Sequence, residues 1–375
     1  MRPLLLAGTP TVTASATPIR APWDGRVLHE VAQAGPAEME AANAAAARAF
    51  ATTRAMPAWQ RAEVCRKVSA AIAANKDELA ALIRDEGGKP QAFAAGEVAR
   101  AVDTFSLAAD EAGREPGEVF SLDTRAAGVG RTAVIRRFPR GPVLAIAPFN
   151  FPLNLVAHKV APAIAAGCPL IVKPAEQTPS AALRLGELCV EAGWPAEAIS
   201  VLPCDRSVAG ALVDDPRTPV LSFTGSDVVG WQLRARAPRK QVLLELGGNA
   251  AAILCADADL EAALPRVALG AYAHAGQVCI SVQHVLVHRS RLEEARERLV
   301  AEAAKVPRGD PARSDVVCGP MIDPRQADRV SAWIDEAVAA GARVAGGGRE
   351  GSVLVPSVLD RVPEHVRLEI GRAHV

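Results

Sequence analysis

The stretch VLAIAPFNFPLNLVAHKVAPAIAAGCPLIVKP, residues 143–174, decides how this chain is expected to fold. It opens with a short apolar run, continues with apolar residues at helical spacing, and ends with a second short apolar run. Two such runs separated by a helix predict a β-α-β unit whose strands lie parallel in one sheet. Because the runs are apolar throughout, both faces of that sheet should be covered.

Further apolar runs repeat this pattern downstream. They are ISVLP, VLSFTG, VLLELGG and AAILC, at 199–203, 220–225, 242–248 and 251–255. The segment SAALRLGELCVEAGWP predicts a helix between two of them, with Ser180 as its expected cap and Gly193 as its expected stop. The pattern predicts an α/β fold built on a Rossmann-like, doubly wound parallel sheet. Ligands of such sheets bind beyond the carboxyl ends of the strands.

The remaining segments predict two further parts. A second α/β domain is expected near the C-terminal end, because VQHVLVH (282–288) has strand character and charged amphipathic segments surround it. A small hairpin arm is expected just before the β-α-β unit. We therefore predict a nucleotide-binding domain over 1–120 and 141–247, an oligomerisation arm over 121–140, and a catalytic domain over 248–369.

Composition narrows the function classes. Among 375 residues, Lys+Arg and Asp+Glu are equal at 42 each, so no net field attracts nucleic acid or an anionic membrane. The N-terminal apolar patch in MRPLLLAGTP is shorter than the roughly 7–15 residues of a signal peptide. No run approaches the roughly 20 apolar residues of a membrane span. Seven unpatterned cysteines favour a reducing cytoplasm over a disulfide framework or structural zinc.

Polar residues follow two of the predicted strands. Asn150 stands between two aromatic residues after the first strand, where its amide can donate to a ligand oxygen. An ordinary turn asparagine is the alternative explanation. Lys173 and Glu176 follow the next strand and are suited to the hydroxyls of a ribose, although a surface ion pair would look the same.

Three more signals lie further along. Gly225 and Ser226 lead from a strand into a helix, a geometry suited to a phosphate at the helix N-terminus, but without the G-x-G-x-x-G fingerprint. Glu245 ends an apolar strand, where a carboxylate is costly to bury unless it is paired, protonated or catalytic. Cys279, in GQVCISVQ (276–283), is either a buried hydrophobe or a nucleophile.

One mechanism uses these signals together. A thiolate attacks a carbonyl, an amide and a backbone N–H hold the oxyanion, a nicotinamide takes a hydride, and a carboxylate activates water. The motifs PFNFP, KPAEQTP, FTGS, ELGGN and GQVC occur in an order and spacing that resembles the aldehyde dehydrogenase superfamily. The resemblance covers about residues 20 to 368.

The resemblance implies roles for individual residues. Cys279 would be the nucleophile, Glu245 the general base, and Asn150 the oxyanion-binding amide together with the Cys279 backbone N–H. The cofactor would be NAD, with NADP possible, because Glu176 would repel a 2′-phosphate. The residues implied in cofactor binding are Pro148, Phe149, Lys173, Glu176, Gly225, Ser226, Leu246 and Gly247.

The implied substrate is a small polar aldehyde, oxidised to its carboxylic acid. Its binding residues are expected to be His158, on the helix after PFNFP, Phe151, and Arg100, which would approach an anionic tail. An ordinary helix-surface histidine and a solvated helix charge are the alternatives for His158 and Arg100. The resemblance also implies a cytoplasmic homodimer or homotetramer for the full-length parent.

The C-terminal sequence departs from the family. After VPEHVRLE the family continues with a Glu-x-Phe-Gly-Pro segment, whereas this chain reads IGRAHV. We therefore expect a truncated catalytic domain and a non-native tail over 370–375. Two alternative functions follow: a CoA-acylating semialdehyde dehydrogenase, which Glu245 disfavours, and an inactive nucleotide-binding fragment.

Overall fold

The computed structural model describes residues 1–114 and 117–370. Its helices in this part of the chain are α1 (Pro36–Ala55), α2 (Ala58–Ala74), α3 (Lys76–Gly87), α4 (Gln91–Ala112), α5 (Asn154–Ala166), α6 (Ser180–Glu191), α7 (Arg206–Asp214), α8 (Asp227–Arg236), α9 (Leu260–Tyr272), α10 (Leu292–Lys305), α11 (Pro324–Ala339) and α12 (Arg367–Ile370). Its strands are β1 (Leu4–Leu6), β2 (Thr9–Thr11), β3 (Ala16–Arg20), β4 (Val27–Ala32), β5 (Glu118–Ser121), β6 (Thr132–Ile135), β7 (Val143–Ile146), β8 (Leu170–Lys173), β9 (Ile199–Val201), β10 (Val220–Gly225), β11 (Gln241–Leu246), β12 (Ala250–Leu254), β13 (Val282–Val287), β14 (Arg343–Gly346), β15 (Arg349–Glu350), β16 (Val353–Leu354) and β17 (Ser357–Asp360).

The parallel part of the main sheet is doubly wound, as the sequence predicted, but the run AAILC, expected among its strands, forms β12 and pairs with β13 in a separate sheet. The seven strands of the main sheet run in the order β11-β10-β7-β8-β9-β1-β2, and β7 to β11 are mutually parallel. Numbered along the chain, these five strands follow the doubly wound order 3-2-1-4-5. The predicted α/β fold class is confirmed. The order reverses between β7 and β10, so a ligand crevice is expected beyond the ends of those two strands.

Apolar side chains cover both faces at the centre of the sheet, whereas the edge strand β11 has exposed residues at alternate positions. In β7, Val143 and Ala145 pack into a core formed with α2 to α6, while Leu144 packs into a second core formed with α1 and α7. Successive side chains of a strand point to opposite faces, so a strand buried on both sides must be apolar at every position. This explains why the strand sequences do not alternate.

A separate core lies outside the main sheet. The parallel strands β12 and β13 pack with α9 and α10 around buried residues such as Leu264 and Leu299. The strands β5 and β6 form an antiparallel hairpin with exposed apolar side chains, including Val119 and Val134. The predicted boundaries between nucleotide-binding domain, arm and catalytic domain stay predictions.

The expected cap of α6 is wrong. The Ser180 hydroxyl contacts His29 Nε2 at 3.0 Å and caps nothing in its own helix. The Ser180 N–H instead donates to Glu86 Oε2 at 3.0 Å, so a buried carboxylate from α3 fills this helix terminus. The expected stop is confirmed, since α6 ends at Glu191 and Gly193 has a φ of 97°.

Two further expectations concern the membrane and the C-terminal tail. Over residues 1–114 and 117–370, no helix combines the length and apolar character that a membrane crossing needs. The predicted non-native tail, 370–375, lies outside the described residues except for Ile370, which ends α12.

Candidate active site

The predicted site residues follow four neighbouring parallel strands. β7, β8, β10 and β11 end at one edge of the sheet, because all four run in the same direction. The residues at or just beyond their ends are Pro148, Phe149, Asn150 and Phe151 after β7, Lys173 and Glu176 at β8, Gly225 and Ser226 at β10, and Glu245, Leu246 and Gly247 at β11. This edge is the crevice that the strand order predicts.

The loop that carries Cys279 joins this edge through two contacts. The Asn150 side chain donates from Nδ2 to the backbone oxygen of Gln277 at 2.9 Å. A Cβ placed on Gly248, three residues beyond Glu245, would lie 3.0 Å from the backbone oxygen of Cys279. The structure therefore brings the amide, the thiol loop and the end of β11 together, although they are far apart in sequence.

Gln277 fixes the approach of this loop. Its side chain is fully buried, donates from Nε2 to the oxygens of His274 and Pro320, and accepts the Ile322 N–H at 2.9 Å. His274 and Ala275 just before it have φ values of 53° and 57°, a left-handed conformation that is unfavourable for residues with a side chain. Such backbone costs of order 1–3 kcal/mol per residue and persists where surrounding contacts hold it. The buried bonds of Gln277 provide that hold.

Exposure separates Cys279 from most of the other thiols. Cys65, Cys168, Cys189, Cys204 and Cys318 are buried, while Cys255 and Cys279 are exposed. Burial raises the pKa of Cys65 to about 12 and that of Cys204 to about 11. A thiol must lose its proton to act as a nucleophile, so the buried cysteines are unsuited to the role. Of the two exposed thiols, Cys279 is the one whose loop reaches the sheet edge, through Gln277 to Asn150 and through its own backbone oxygen to Gly248.

Lys159 is a buried residue of α5 that lies close to Glu245 and was not assigned by the sequence analysis. It is only 6% exposed and donates from Nζ to Ser222 Oγ at 3.0 Å and Thr224 Oγ1 at 2.8 Å. Thr224 is the cross-strand neighbour of Glu245. Burial lowers the pKa of Lys159 to about 8, and the Glu245 carboxylate opposes this change. The ammonium and the carboxylate therefore share one environment.

The predicted substrate residues lie around the same helix. His158 is exposed at the surface of α5 and contacts Asn154 Nδ2 at 3.3 Å. Partial burial lowers the pKa of His158, as do the charges of Arg100 and Lys159, while Glu245 raises it. The Arg100 guanidinium lies 5.6 Å from the ring centroid of Phe151. The structure thus places His158, Phe151 and Arg100 in one positively charged neighbourhood.

The end of β8 carries an acceptor without a hydrogen-bond donor. Glu176 Oε1 is buried and has no hydrogen-bond partner among the described residues. Lys173 Nζ and Arg206 Nε each lie 3.7 Å from it, which is ion-pair distance rather than a hydrogen bond. An unpaired buried acceptor flanked by cations fits the hydroxyl donors of a ribose.

The start of α8 has the close packing that a phosphate-binding turn needs. Ser226 caps this helix, accepting the Val229 N–H at 3.4 Å. A Cβ on Gly225 would lie 2.6 Å from the Phe223 ring, and one on Gly230 would lie 2.5 Å from Leu246 Cδ2. Glycine at both positions lets the helix approach the sheet and exposes backbone N–H groups toward an anion. These residues fit a dinucleotide cofactor.

Lys159, Gln277 and Arg206 are functional candidates that the sequence analysis did not assign. Lys159 had a visible signal, since it is a charged residue in the otherwise apolar segment LNLVAHKVAPAIAAG. Gln277 precedes the predicted nucleophile, but the partners of its side chain lie up to 45 residues away and Asn150, the partner of its backbone oxygen, lies 127 residues away. Arg206 has no local signal, because its proximity to Glu176 results from the neighbouring positions of β8 and β9.

Comparison with known proteins agrees with this geometry. The chain is 38% identical over 312 residues to the 3-sulfolactaldehyde dehydrogenase of Priestia aryabhattai, covering 83% of this chain and 65% of that protein. It superposes with a TM-score of 0.95 on aldehyde dehydrogenase 21 of Physcomitrella patens, solved with the reaction product succinate, at 38% identity. That match covers 98% of this chain and 77% of the solved one.

A second solved structure holds a nicotinamide cofactor. It is the NADP-dependent glyceraldehyde-3-phosphate dehydrogenase of Bacillus halodurans in complex with NADP, with a TM-score of 0.94 and 31% identity, covering 98% of this chain and 78% of that one. The model of the aldehyde dehydrogenase family matches residues 11–369. The predicted resemblance is therefore confirmed, and the chain belongs to the aldehyde dehydrogenase family of oxidoreductases.

Proposed function

We propose that this site oxidises a small polar aldehyde to its carboxylic acid with a nicotinamide cofactor. The observation that carries the proposal is the meeting of Asn150 with the Cys279 loop, through Gln277, beside the glycines that follow Glu245. An amide, an exposed thiol and a carboxylate on three separate segments are the groups that acyl chemistry at a thiol requires.

The residues divide the chemistry among them. The Cys279 thiolate forms a bond to the aldehyde carbon, and the carbonyl electron pair moves to oxygen. Asn150 Nδ2 has one hydrogen bonded to Gln277 and a second hydrogen for that oxyanion, which the Cys279 backbone N–H also holds. A bound nicotinamide supplies hydride acceptance, which leaves a thioester on Cys279. Glu245 then takes a proton from water as the water oxygen bonds to the carbonyl carbon and the C–S bond breaks.

The cofactor position follows from the edge of the sheet. Lys173 and Glu176 would hold the adenosine ribose, and Gly225 and Ser226 would receive the pyrophosphate at the start of α8. Pro148, Phe149, Leu246 and Gly247 would line the nicotinamide end. We propose NAD as the preferred form because Glu176 repels a 2′-phosphate, with NADP also accepted because the Arg206 guanidinium lies beside that carboxylate.

The substrate is proposed to be a small aldehyde with an anionic group at its far end. Arg100 is exposed near Phe151, and none of the ion pairs among residues 1–114 and 117–370 involves it. An unpaired guanidinium binds carboxylate or sulfonate oxygens well. Of the similar proteins described above, one is named for sulfolactaldehyde, which has a sulfonate, and one was solved with succinate, which has carboxylates.

Assembly and domain roles complete the proposal. The exposed apolar side chains within 121–140, including Val134 and Ile135, suit an arm that packs on another subunit of a homodimer or homotetramer. We retain the division into a nucleotide-binding domain (1–120 and 141–247), an arm (121–140) and a catalytic domain (248–369). A cytoplasmic location is part of the same proposal.

The test is turnover of a panel of aldehydes, followed by the absorbance of reduced nicotinamide. The Cys279→Ser variant should lose turnover while NAD still binds, and Glu245→Gln should release a burst of reduced cofactor and then stall at the thioester. Full turnover by either variant would refute its assigned role. Strict dependence on CoA would decide for the CoA-acylating alternative.

A further inference from the structure

A buried ion pair contacts the segment between Asn150 and the start of α5. Lys89 Nζ contacts Glu97 Oε2 at 2.5 Å, and both residues are about 1% exposed. Burial lowers the pKa of Lys89, and the Glu97 carboxylate opposes that change. Neither residue belongs to the site described above.

Both members of the pair hold the segment that follows Asn150. Glu97 Oε1 accepts the backbone N–H of Leu153 at 2.9 Å and of Asn154 at 3.0 Å, so it caps α5 from another helix. Lys89 Nζ lies 3.5 Å from the ring centroid of Phe151, close enough for a cation–π contact. Lys89 therefore contacts the loop at Phe151, one residue beyond Asn150, and Glu97 binds it where α5 begins.

Asn154 connects the start of α5 to His158, a predicted substrate residue. Asn154 is fully buried, its Oδ1 accepts from Thr104 Oγ1 at 3.2 Å, and its Nδ2 lies 3.3 Å from His158 Nε2. A shift of the helix start would therefore move the oxyanion amide and the substrate histidine together. Such a shift matters, because misplacement by about 1 Å can slow a reaction about 10²-fold.

Stability alone does not require this arrangement. Apolar residues of similar volume often replace a buried ion pair with little loss of stability. A helix N-terminus is also commonly capped by a serine, threonine, aspartate or asparagine of its own chain segment. Here the cap comes from position 97, more than fifty residues before the helix that it closes.

We propose that Glu97, held by Lys89, is a positioning residue for the oxyanion amide of Asn150. The proposal rests on the proposed function, because it assigns Asn150 to the oxyanion. It goes beyond that function by making a buried pair outside the crevice set the rate of the step at Cys279.

The test uses p-nitrophenyl acetate, which needs no nicotinamide. The Cys279 thiolate attacks the ester carbon, an oxyanion forms, and p-nitrophenolate leaves with the electron pair of the broken C–O bond, giving acetyl-Cys279. The burst of p-nitrophenolate therefore reports oxyanion stabilisation separately from hydride transfer. Cys279→Ser defines the background from other groups.

Loss of an oxyanion donor in Asn150→Ala should slow the burst about 10²-fold. Glu97→Gln should slow it about tenfold, because the amide cannot reproduce the ion pair and its two N–H bonds. The decisive measurement is the double variant. Glu97→Gln should have no further effect when Asn150 is already alanine, because its effect acts through that amide.

Glu86→Gln is the matched control. Glu86 is equally buried and caps α6 through the Ser180 N–H. The helix α6 begins at Ser180, whereas the helix next to Asn150 is α5. The effect of Glu86→Gln should multiply with that of Asn150→Ala. Multiplying effects for Glu97→Gln, an unchanged burst, or equal coupling at Glu86 would each overturn the proposal.

A Glu97→Gln variant that fails to fold and a wild-type chain that lacks turnover or lacks the burst each have a defined consequence. If Glu97→Gln does not fold, Lys89→Met combined with Glu97→Gln removes both charges and should show the same lack of further effect in the Asn150→Ala background; multiplying effects would overturn the proposal. A wild-type burst without aldehyde turnover would refute the proposed oxidation alone. A wild-type chain without any Cys279-dependent burst would overturn both.

Discussion

Replacing Lys159 by methionine should change how the free energy of unfolding depends on pH. The Lys159 ammonium is buried against Ser222 and Thr224, and its pKa falls from the ordinary 10.5 to about 8. The unfolded chain keeps this proton up to about pH 10.5, so between the two values it binds more protons than the folded chain. The free energy of unfolding therefore rises with pH in this window.

The size of the effect follows from the pKa values. A fall from 10.5 to about 8 is equivalent to about 3 kcal/mol, the destabilisation that the buried charge causes below pH 8. Between about pH 7 and pH 10 the wild-type protein should regain roughly 2 kcal/mol of it. Lys159→Met has no proton to lose and should lack this increase.

The assay is urea unfolding at several pH values, followed by tryptophan fluorescence, to which the buried Trp194 (1% exposed) contributes as one of five tryptophans. The quantity compared is the difference between wild type and Lys159→Met, in which the titration of groups that do not interact with Lys159 cancels. Lys67→Met is the matched control, because the Lys67 side chain is 58% exposed and solvated in both states. A difference that stays constant from about pH 7 to pH 10 would refute the burial of this charge.

Two further predictions concern recognition. Arg100→Gln should raise KM for succinate semialdehyde about tenfold and leave KM for propionaldehyde unchanged, since one charge-assisted hydrogen bond is worth about 1.5 kcal/mol; equal changes for both substrates would exclude an anion contact. Arg206→Ala should lower kcat/KM for NADP about tenfold relative to NAD, because Glu176 would then face a 2′-phosphate with one neighbouring cation, Lys173, in place of two. An unchanged ratio would remove Arg206 from cofactor selection.

The sequence predicted the sheet and its ligand edge for a local reason. Strands buried on both faces are largely apolar, so β7 stands out from the helix that follows it without knowledge of its partners. Once the strands are parallel, the residues just beyond them must meet at one edge. Asn150, Glu176 and Glu245 could therefore be placed together before any contact was known.

Long-range contacts could not be predicted in this way. The loop before Cys279 depends on left-handed residues at His274 and Ala275, held by buried bonds of Gln277 to residues 320 and 322. The cap of α6 was assigned to Ser180 because serine is a strong local cap. The Ser180 hydroxyl has a closer partner in His29, from a segment 151 residues earlier, which no local pattern reveals.

The buried carboxylates of Glu97 and Glu86 favour one helix N-terminus over two others as the position for an anionic cofactor. The helices α5, α6 and α8 are among those that begin at the ligand edge, and each N-terminus attracts negative charge. Glu97 fills the start of α5 and Glu86 fills that of α6, whereas α8 is capped by the neutral hydroxyl of Ser226. Among these three, α8 is the one whose start, in the described part of the chain, holds no buried carboxylate from another helix, and the acidic residue in its own first turn, Asp227, is half-buried. The Gly225–Ser226 turn is a weak motif alone, but the two occupied neighbours make it the favoured position for a pyrophosphate.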